Sequence, residues 1–270
     1  MKKWCEYIKS RSQNGLVVRE EEGGWCLGDW GFSENVLIPE PFVNTYFFIK
    51  SLGYMEEMAD VISADKTDIS ILKQKVSEAF VREYYDEKTN SVLNKIQGAE
   101  AFFVDLGLGN EDMIKNLNQH YQDIDVFDTG IFGTDILVRV LFENGYQDTA
   151  VKLIRNSFAP QIKHGATTLW EYWNGKQSHN HPMYGACVKY LITELMGIKK
   201  GETLLIEPKP SALIEKVGIK IKIDEKEVRV SYEIKGGKTL IKVFSEQKAE
   251  FSYNNENYTL AENEEKLFVF

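Results

Sequence analysis

Gly133-Thr134-Asp135-Ile136-Leu137-Val138-Arg139-Val140-Leu141-Phe142-Glu143-Asn144, then Gly145, then Tyr146-Gln147-Asp148-Thr149-Ala150-Val151-Lys152-Leu153-Ile154-Arg155-Asn156-Ser157-Phe158 is the stretch on which the fold reading turns. On both sides of Gly145 apolar residues return every three or four positions, the period of a helix with one buried face. A single glycine between two such runs marks the end of one helix and a tight passage into the next. The stretch reads as a helical hairpin.

The same pattern extends towards the amino terminus. Glu111 to His120 pairs with Gln97 to Leu106 across Gly107 and Gly109. Asp65 is a fair N-cap for a segment reaching Tyr84, with Ile69, Leu72, Val76, Ala79 and Phe80 on one face. A helix from Pro41 to Leu52 has its proline where the first turn tolerates it; Gly53 punctuates it and Tyr54 to Ser63 continues. Trp4, Tyr7 and Ile8 begin a short amphipathic helix. Downstream, a last helix runs from Pro182 to Met196 and stops at Gly197. Paired helices joined by Gly-marked turns predict an all-α toroid or an irregular bundle, and no exact repeat favours a solenoid.

Beyond Lys200 the period changes from helical to alternating. Ile219, Ile221 and Ile223 alternate with lysines, and Val228, Val230 and Tyr232 alternate with Arg229 and Ser231. Lys235-Gly236-Gly237-Lys238 is a hairpin turn signal. Leu240 to Phe244, Phe251 to Tyr253 and Leu267 to Phe270 follow as strands. The expected organisation is a helical domain over residues 1–200 and a small antiparallel β-sandwich over residues 201–270.

The 270 residues carry a formal net charge of −9, with 43% hydrophobic and 27% charged residues. An acidic balance argues against nucleic acid or an anionic membrane as partner, since both reward a basic face. Cys5, Cys26 and Cys187 are scattered, so neither a disulfide framework nor a zinc site is expected. His179 and His181 lack a third ligand, and no metal or other cofactor is expected. No apolar run is long enough to span a membrane, and the start lacks a signal-peptide core. The location expected from this is cytoplasmic. No dinucleotide, phosphate-loop or nucleophile-elbow motif is present.

Two loops concentrate aromatic, acidic and small residues: Gly23 to Phe32, and Gly165 to Trp173 followed by Ser178 to Gly185. Cleavage of a glycosidic bond needs two carboxyl groups and flat apolar surfaces for the sugar ring. Glu171, between Trp170 and Tyr172 with Trp173 beyond, and Asp29 beside Trp30 offer that combination. The plainer readings stand next to it. Glu171 could face solvent at the edge of an aromatic core, Asp29 could be a helix cap or turn residue, and His181 a structural hydrogen bonder. Aromatic neighbours desolvate a carboxylate and raise its pKa, which fits a general acid at least as well as a base.

Several segments occur together in a family-like order. They are Gly28-Asp29-Trp30, Gln97-Gly98-Ala99-Glu100-Ala101, Asp128-Thr129-Gly130-Ile131-Phe132-Gly133-Thr134, Leu141 to Ala150, Gly165 to Trp173, and Asn180-His181-Pro182-Met183-Tyr184-Gly185. The set resembles the bacterial α-L-rhamnosidases of the six-hairpin, (α/α)6-barrel class, from about Gly24 to Lys200. The resemblance implies a mainly α fold with a β tail: a partial (α/α)6 toroid of helical hairpins followed by a small antiparallel β-sandwich. It implies inverting hydrolysis of terminal α-L-rhamnosides, with Glu171 as the general base that activates water. Asp29, Trp30, Trp170, Trp173 and His181 are the expected sugar-pocket residues. The family's general acid lies in an Arg-x-Glu and Gly-Trp-x-Gly-Asp segment upstream of Met1, so the chain reads as a truncated form with an open barrel. Exposed helix faces then predict self-association or an upstream-encoded partner. Local acids that could substitute are Asp29, Glu34 and Glu40. The alternatives are a non-catalytic carbohydrate-binding or structural remnant, or another (α/α)-barrel glycosidase.

Overall fold

A computed structural model describes residues 1–18, 27–32 and 37–270. The acidic run Glu20-Glu21-Glu22, Gly23 to Cys26 of the first aromatic loop, and Glu34 lie outside the described residues. Helices fill the chain up to Met196 and strands dominate after it, as the change of period predicts. The chain resolves into two compact units. The first holds Met1–His120, Phe127–Leu137 and Thr168–Met183; the second holds Tyr121–Val126, Val138–Thr167 and Tyr184–Phe270.

In the first unit, α1 (Lys2–Ser10) buries Cys5, whose thiol lies 3.0 Å from the Met55 sulfur. Two-residue strands β1 (Ser12–Gln13) and β2 (Leu16–Val17) form a small hairpin. Helix α2 spans Glu40–Val61 without interruption. The expected break at Gly53 is absent because Leu52, Met55 and Ala59 prolong the buried face. A mid-helix glycine costs only about 1 kcal/mol against alanine, less than that burial returns. Helix α3 (Thr67–Tyr84) begins where the Asp65 carboxylate accepts the Thr67 N–H at 2.9 Å. Glu56 of α2 accepts from Ser70 and Lys73 of α3, at 2.5 and 2.6 Å.

Tyr85–Asp86 (β3) pairs with Ser91–Val92 (β4), and a tight turn then leads into α4 (Ala99–Asp105). The helix expected from Gln97 starts two residues later. Leu93, Asn94, Lys95 and Gln97 all hold left-handed backbone, which no helix continues. Phe42 of α2 is fully buried among Phe80 and Tyr84 of α3 and Phe102 and Phe103 of α4, with ring centroids 4.8 to 6.3 Å apart. Helix α5 (Glu111–Ile124) follows, then α6 (Ile131–Glu143) and α7 (Gln147–Lys163).

The α6–α7 junction is the one read from Gly145. Gly145 adopts φ +79° and donates to Phe142 O at 3.3 Å, while Tyr146 donates to Leu141 O at 2.8 Å. Those two bonds close the last turn of α6 as a Schellman motif. The helix expected from Pro182 to Met196 is not one regular helix. Tight turns occupy Pro182–Val188 and a wide turn occupies Leu191–Leu195.

In the second unit the tail forms two sheets. Strands β5 (Ile198–Lys200), β6 (Leu204–Ile206), β10 (Ala249–Tyr253) and β11 (Glu256–Leu260) make one, in the order β11-β10-β6-β5. Strands β7 (Lys216–Ile223), β8 (Lys226–Lys235), β9 (Lys238–Ser245) and β12 (Glu264–Val269) make the other, in the order β12-β9-β8-β7. The β8–β9 turn falls on Gly236 and Gly237, both with positive φ. The β6–β10 pair is parallel, a departure from the all-antiparallel expectation. Phe251 of β10 stacks on Phe268 of β12 at 4.0 Å, joining the two sheets across a common core. Among the described residues no helix is long and apolar enough to cross a membrane.

Candidate active site

The loop between α7 and Pro182 doubles back on itself. Glu171 N–H donates to Ser178 O and His181 N–H to Leu169 O, both at 2.9 Å. Thr168 Oγ1 also donates to His179 O. Trp170 stacks on His179 with centroids 4.5 Å apart, so its ring closes the fold-back. This local pairing sets Glu171 opposite Ser178 and brings His181 alongside.

The Glu171 carboxylate is met on both oxygens. Oε1 accepts the Trp30 indole N–H at 3.0 Å, and Oε2 accepts the Ser178 backbone N–H at 3.2 Å. His181 Nδ1 stands 3.7 Å from Oε2, and the Glu171 side chain keeps 16% exposure. Its carboxyl is held below the ordinary glutamate range, chiefly by the Trp30 hydrogen bond, with Ser178 and His181 adding to the effect. Burial pushes the other way and loses. The upward shift expected from aromatic neighbours is therefore reversed. An indole that donates a hydrogen bond to the charged form favours it, whereas one that only excludes water would not.

Trp30 is fixed from a distant part of the chain. Its carbonyl accepts the Ile131 N–H at 2.7 Å, and its ring meets the buried Tyr172 edge-on at 5.8 Å. Asp29 is only 2% exposed. Its Oδ1 accepts from Phe132 and Gly133 N–H, both at 2.9 Å, and its Oδ2 from Gly130 N–H at 2.8 Å. It caps the first turn of α6. Burial pushes its carboxyl up to about 6, against the pull of the three amides. A Cβ on Gly130 would lie 2.1 Å from the Asp29 carbonyl oxygen, and one on Gly133 would lie 2.5 Å from Asp29 Oδ2. Both glycines are required by that close approach. Trp173 joins the same frame: its indole N–H donates to Thr129 O at 3.1 Å, and its ring stacks on Phe127.

The structure thus gathers Trp30, Glu171 and His181 around one carboxylate. Asp29 and Trp173 attach to the α6 entry, Trp170 to His179. Sequence reasoning placed Thr129, Gly130, Gly133 and Ser178 within the quoted segments without giving them a role; they supply the frame through backbone groups. The two glycines at the start of a helix were the available signal. Among the described residues no group of three or more His, Cys, Asp or Glu side chains could hold a metal ion.

This geometry can be set beside known proteins. The model of the bacterial alpha-L-rhamnosidase 6 hairpin glycosidase domain matches residues 1–195. The chain belongs to this rhamnosidase family. An alpha-L-rhamnosidase of Formosa agariphila is 24% identical over 97% of this chain, and one of Streptomyces avermitilis is 25% identical over 77%. The chain spans only 33% and 22% of those two relatives. The crystal structure of the Streptomyces avermitilis alpha-L-rhamnosidase complexed with L-rhamnose superposes with a TM-score of 0.83 at 19% identity. It covers 98% of this chain and 29% of the other. The alpha-L-rhamnosidase from Dictyoglumus thermophilum gives 0.79 at 22% identity, covering 93% and 31%. At such identities the superpositions establish the six-hairpin fold.

Proposed function

We propose that this chain carries the water-activating half of an inverting α-L-rhamnosidase. Glu171 is the general base. The observation that carries this reading is a loop-borne carboxylate, partly open to solvent, kept ionised by the Trp30 indole and flanked by His181. A base must be ionised at working pH and reachable by water; Glu171 is held in its ionised form and keeps 16% of its side chain exposed. Trp30, Trp170, Trp173 and His181 contribute apolar faces and a hydrogen-bonding ring for the sugar.

The reaction also needs a second carboxyl to protonate the leaving oxygen. Asp29, the local candidate nearest Trp30, has both oxygens occupied by the α6 amides. That leaves Glu34, outside the described residues, Glu40 in the first turn of α2, or a segment supplied together with this chain to protonate the leaving oxygen. Without a general acid the rate falls by about 10²–10⁴-fold. The assay is release of a chromogenic aryl group from an α-L-rhamnoside, by the chain alone and by the chain with the polypeptide encoded immediately upstream. Turnover is expected in the second case. No turnover in either removes the hydrolase reading, and rhamnose binding by calorimetry in that event identifies a carbohydrate-binding remnant.

A further inference from the structure

We infer that Asp29 is a positioning residue, which holds the Trp30 indole on the Glu171 carboxylate by capping α6. The inference rests on Glu171 being the base of the proposed reaction, and it assigns Asp29 an indirect role in place of sugar contact.

Three observations support it. Asp29 is sealed from solvent, and its two oxygens take up the three amides of Gly130, Phe132 and Gly133. The next residue, Trp30, continues the same attachment through its carbonyl, which accepts from Ile131. The Trp30 ring then reaches across to Glu171 Oε1. Residues 29 and 30 therefore grip successive amides of one helix entry, and the indole direction follows from that grip. Four amides at the start of a helix lack helical partners, so a carboxylate there is bound strongly and in one orientation. Glycine at 130 and 133 admits the approach. The imidazole of His181 also faces Glu171, and Asp128 is the charged group that acts on Asp29.

The test is Asp29→Asn. Its amide nitrogen would oppose at least one of the three amide donors, loosening the grip without changing size. Glu171 is followed by carbon NMR of glutamate-labelled full chain, assigned with Glu171→Gln and repeated with His181→Gln. In Asp29→Asn the Glu171 titration moves up towards the ordinary glutamate value. Trp30→Phe moves it in the same direction, and the double variant adds no further shift, the non-additivity expected of residues acting in series. Where turnover is measurable, kcat falls on the order of tenfold while KM stays within about a factor of two. A folded Asp29→Asn protein with an unmoved Glu171 titration overturns the inference, and so does an additive double variant. If Asp29→Asn does not fold, Asp29→Ser is read in the same way; if neither folds, Asp29 is a fold determinant and the inference falls. A shifted titration with no hydrolysis in any preparation sustains the inference while ending the hydrolase reading.

Discussion

Three contacts lower the Glu171 carboxyl, and two of them, the Trp30 indole and the His181 ring, come from side chains that substitution can remove. Trp30→Phe keeps the ring but deletes the indole donor to Oε1. Losing that bond costs about 1 kcal/mol of stability. It also lets the Glu171 carboxyl rise. A depressed folded-state pKa contributes stability that is present above the unfolded value and lost as pH falls through the folded one. Trp30→Phe should therefore lower stability near neutral pH, with the gap to the unsubstituted protein closing as pH falls through and below the ordinary glutamate range, and the acid limb of a pH–rate profile should move up. An unmoved limb would deny the indole its role. If Glu171 is the proposed base, Glu171→Gln removes it while keeping shape, so in an assembly that turns over a rhamnoside kcat should fall by about 10²–10⁴-fold with substrate binding retained. Steady-state kinetics with an aryl rhamnoside reads both parameters.

The elements that carry these residues differ in how they are held. Helix α2 depends on the ring cluster around Phe42, which has no exposed surface. Phe42→Ala should cost about 3–5 kcal/mol, measured as a drop in the denaturant midpoint with little change in slope. The entry to α6 depends on close approach. Gly133→Ala would press a methyl against Asp29 Oδ2 at 2.5 Å. It should disturb the Trp30–Glu171 bond as well as stability, visible as a changed tryptophan fluorescence in the folded protein. Helical period announced both helices. It could not announce the cap, because Asp29 and Gly130 are 101 residues apart in sequence. The break expected at Gly53 and the regular helix expected after Pro182 failed for a related reason. Packing decides whether a glycine ends a helix and which kind of turn a segment adopts.

At the scale of the molecule, the second unit ties α7 to the β strands. Asp148 of α7 accepts from Ser211 Oγ at 2.6 Å and from Ala212 N–H at 2.9 Å. Lys209 reaches Phe142 O at 2.9 Å and Glu194 at 2.7 Å. A fragment cut at residue 200 loses all of these partners and leaves the buried Glu194 without Lys209. It should melt at a lower temperature than the full chain and expose apolar surface to a reporter dye. Equal melting temperatures would show that the helical part stands alone. Family membership and the six-hairpin fold belong to this scale too. The catalytic outcome does not, because the chain spans a third or less of the curated relatives it matches.

The sequence by itself determined the order of helices and strands and the hairpin turns at Gly145 and Gly236-Gly237, because periods and turn chemistry are written within a few residues of one another. Glu171, Asp29, Trp30, Trp170, Trp173 and His181 were named as candidates by short motifs in a family-like order. Only the tertiary structure decided that Asp29 faces three amides in place of solvent, and that Trp30 donates to Glu171 and so lowers a carboxyl its aromatic neighbours were expected to raise. The sign of a pKa shift depends on whether a neighbour points a proton at the charge, and that direction is set by contacts between residues more than a hundred positions apart.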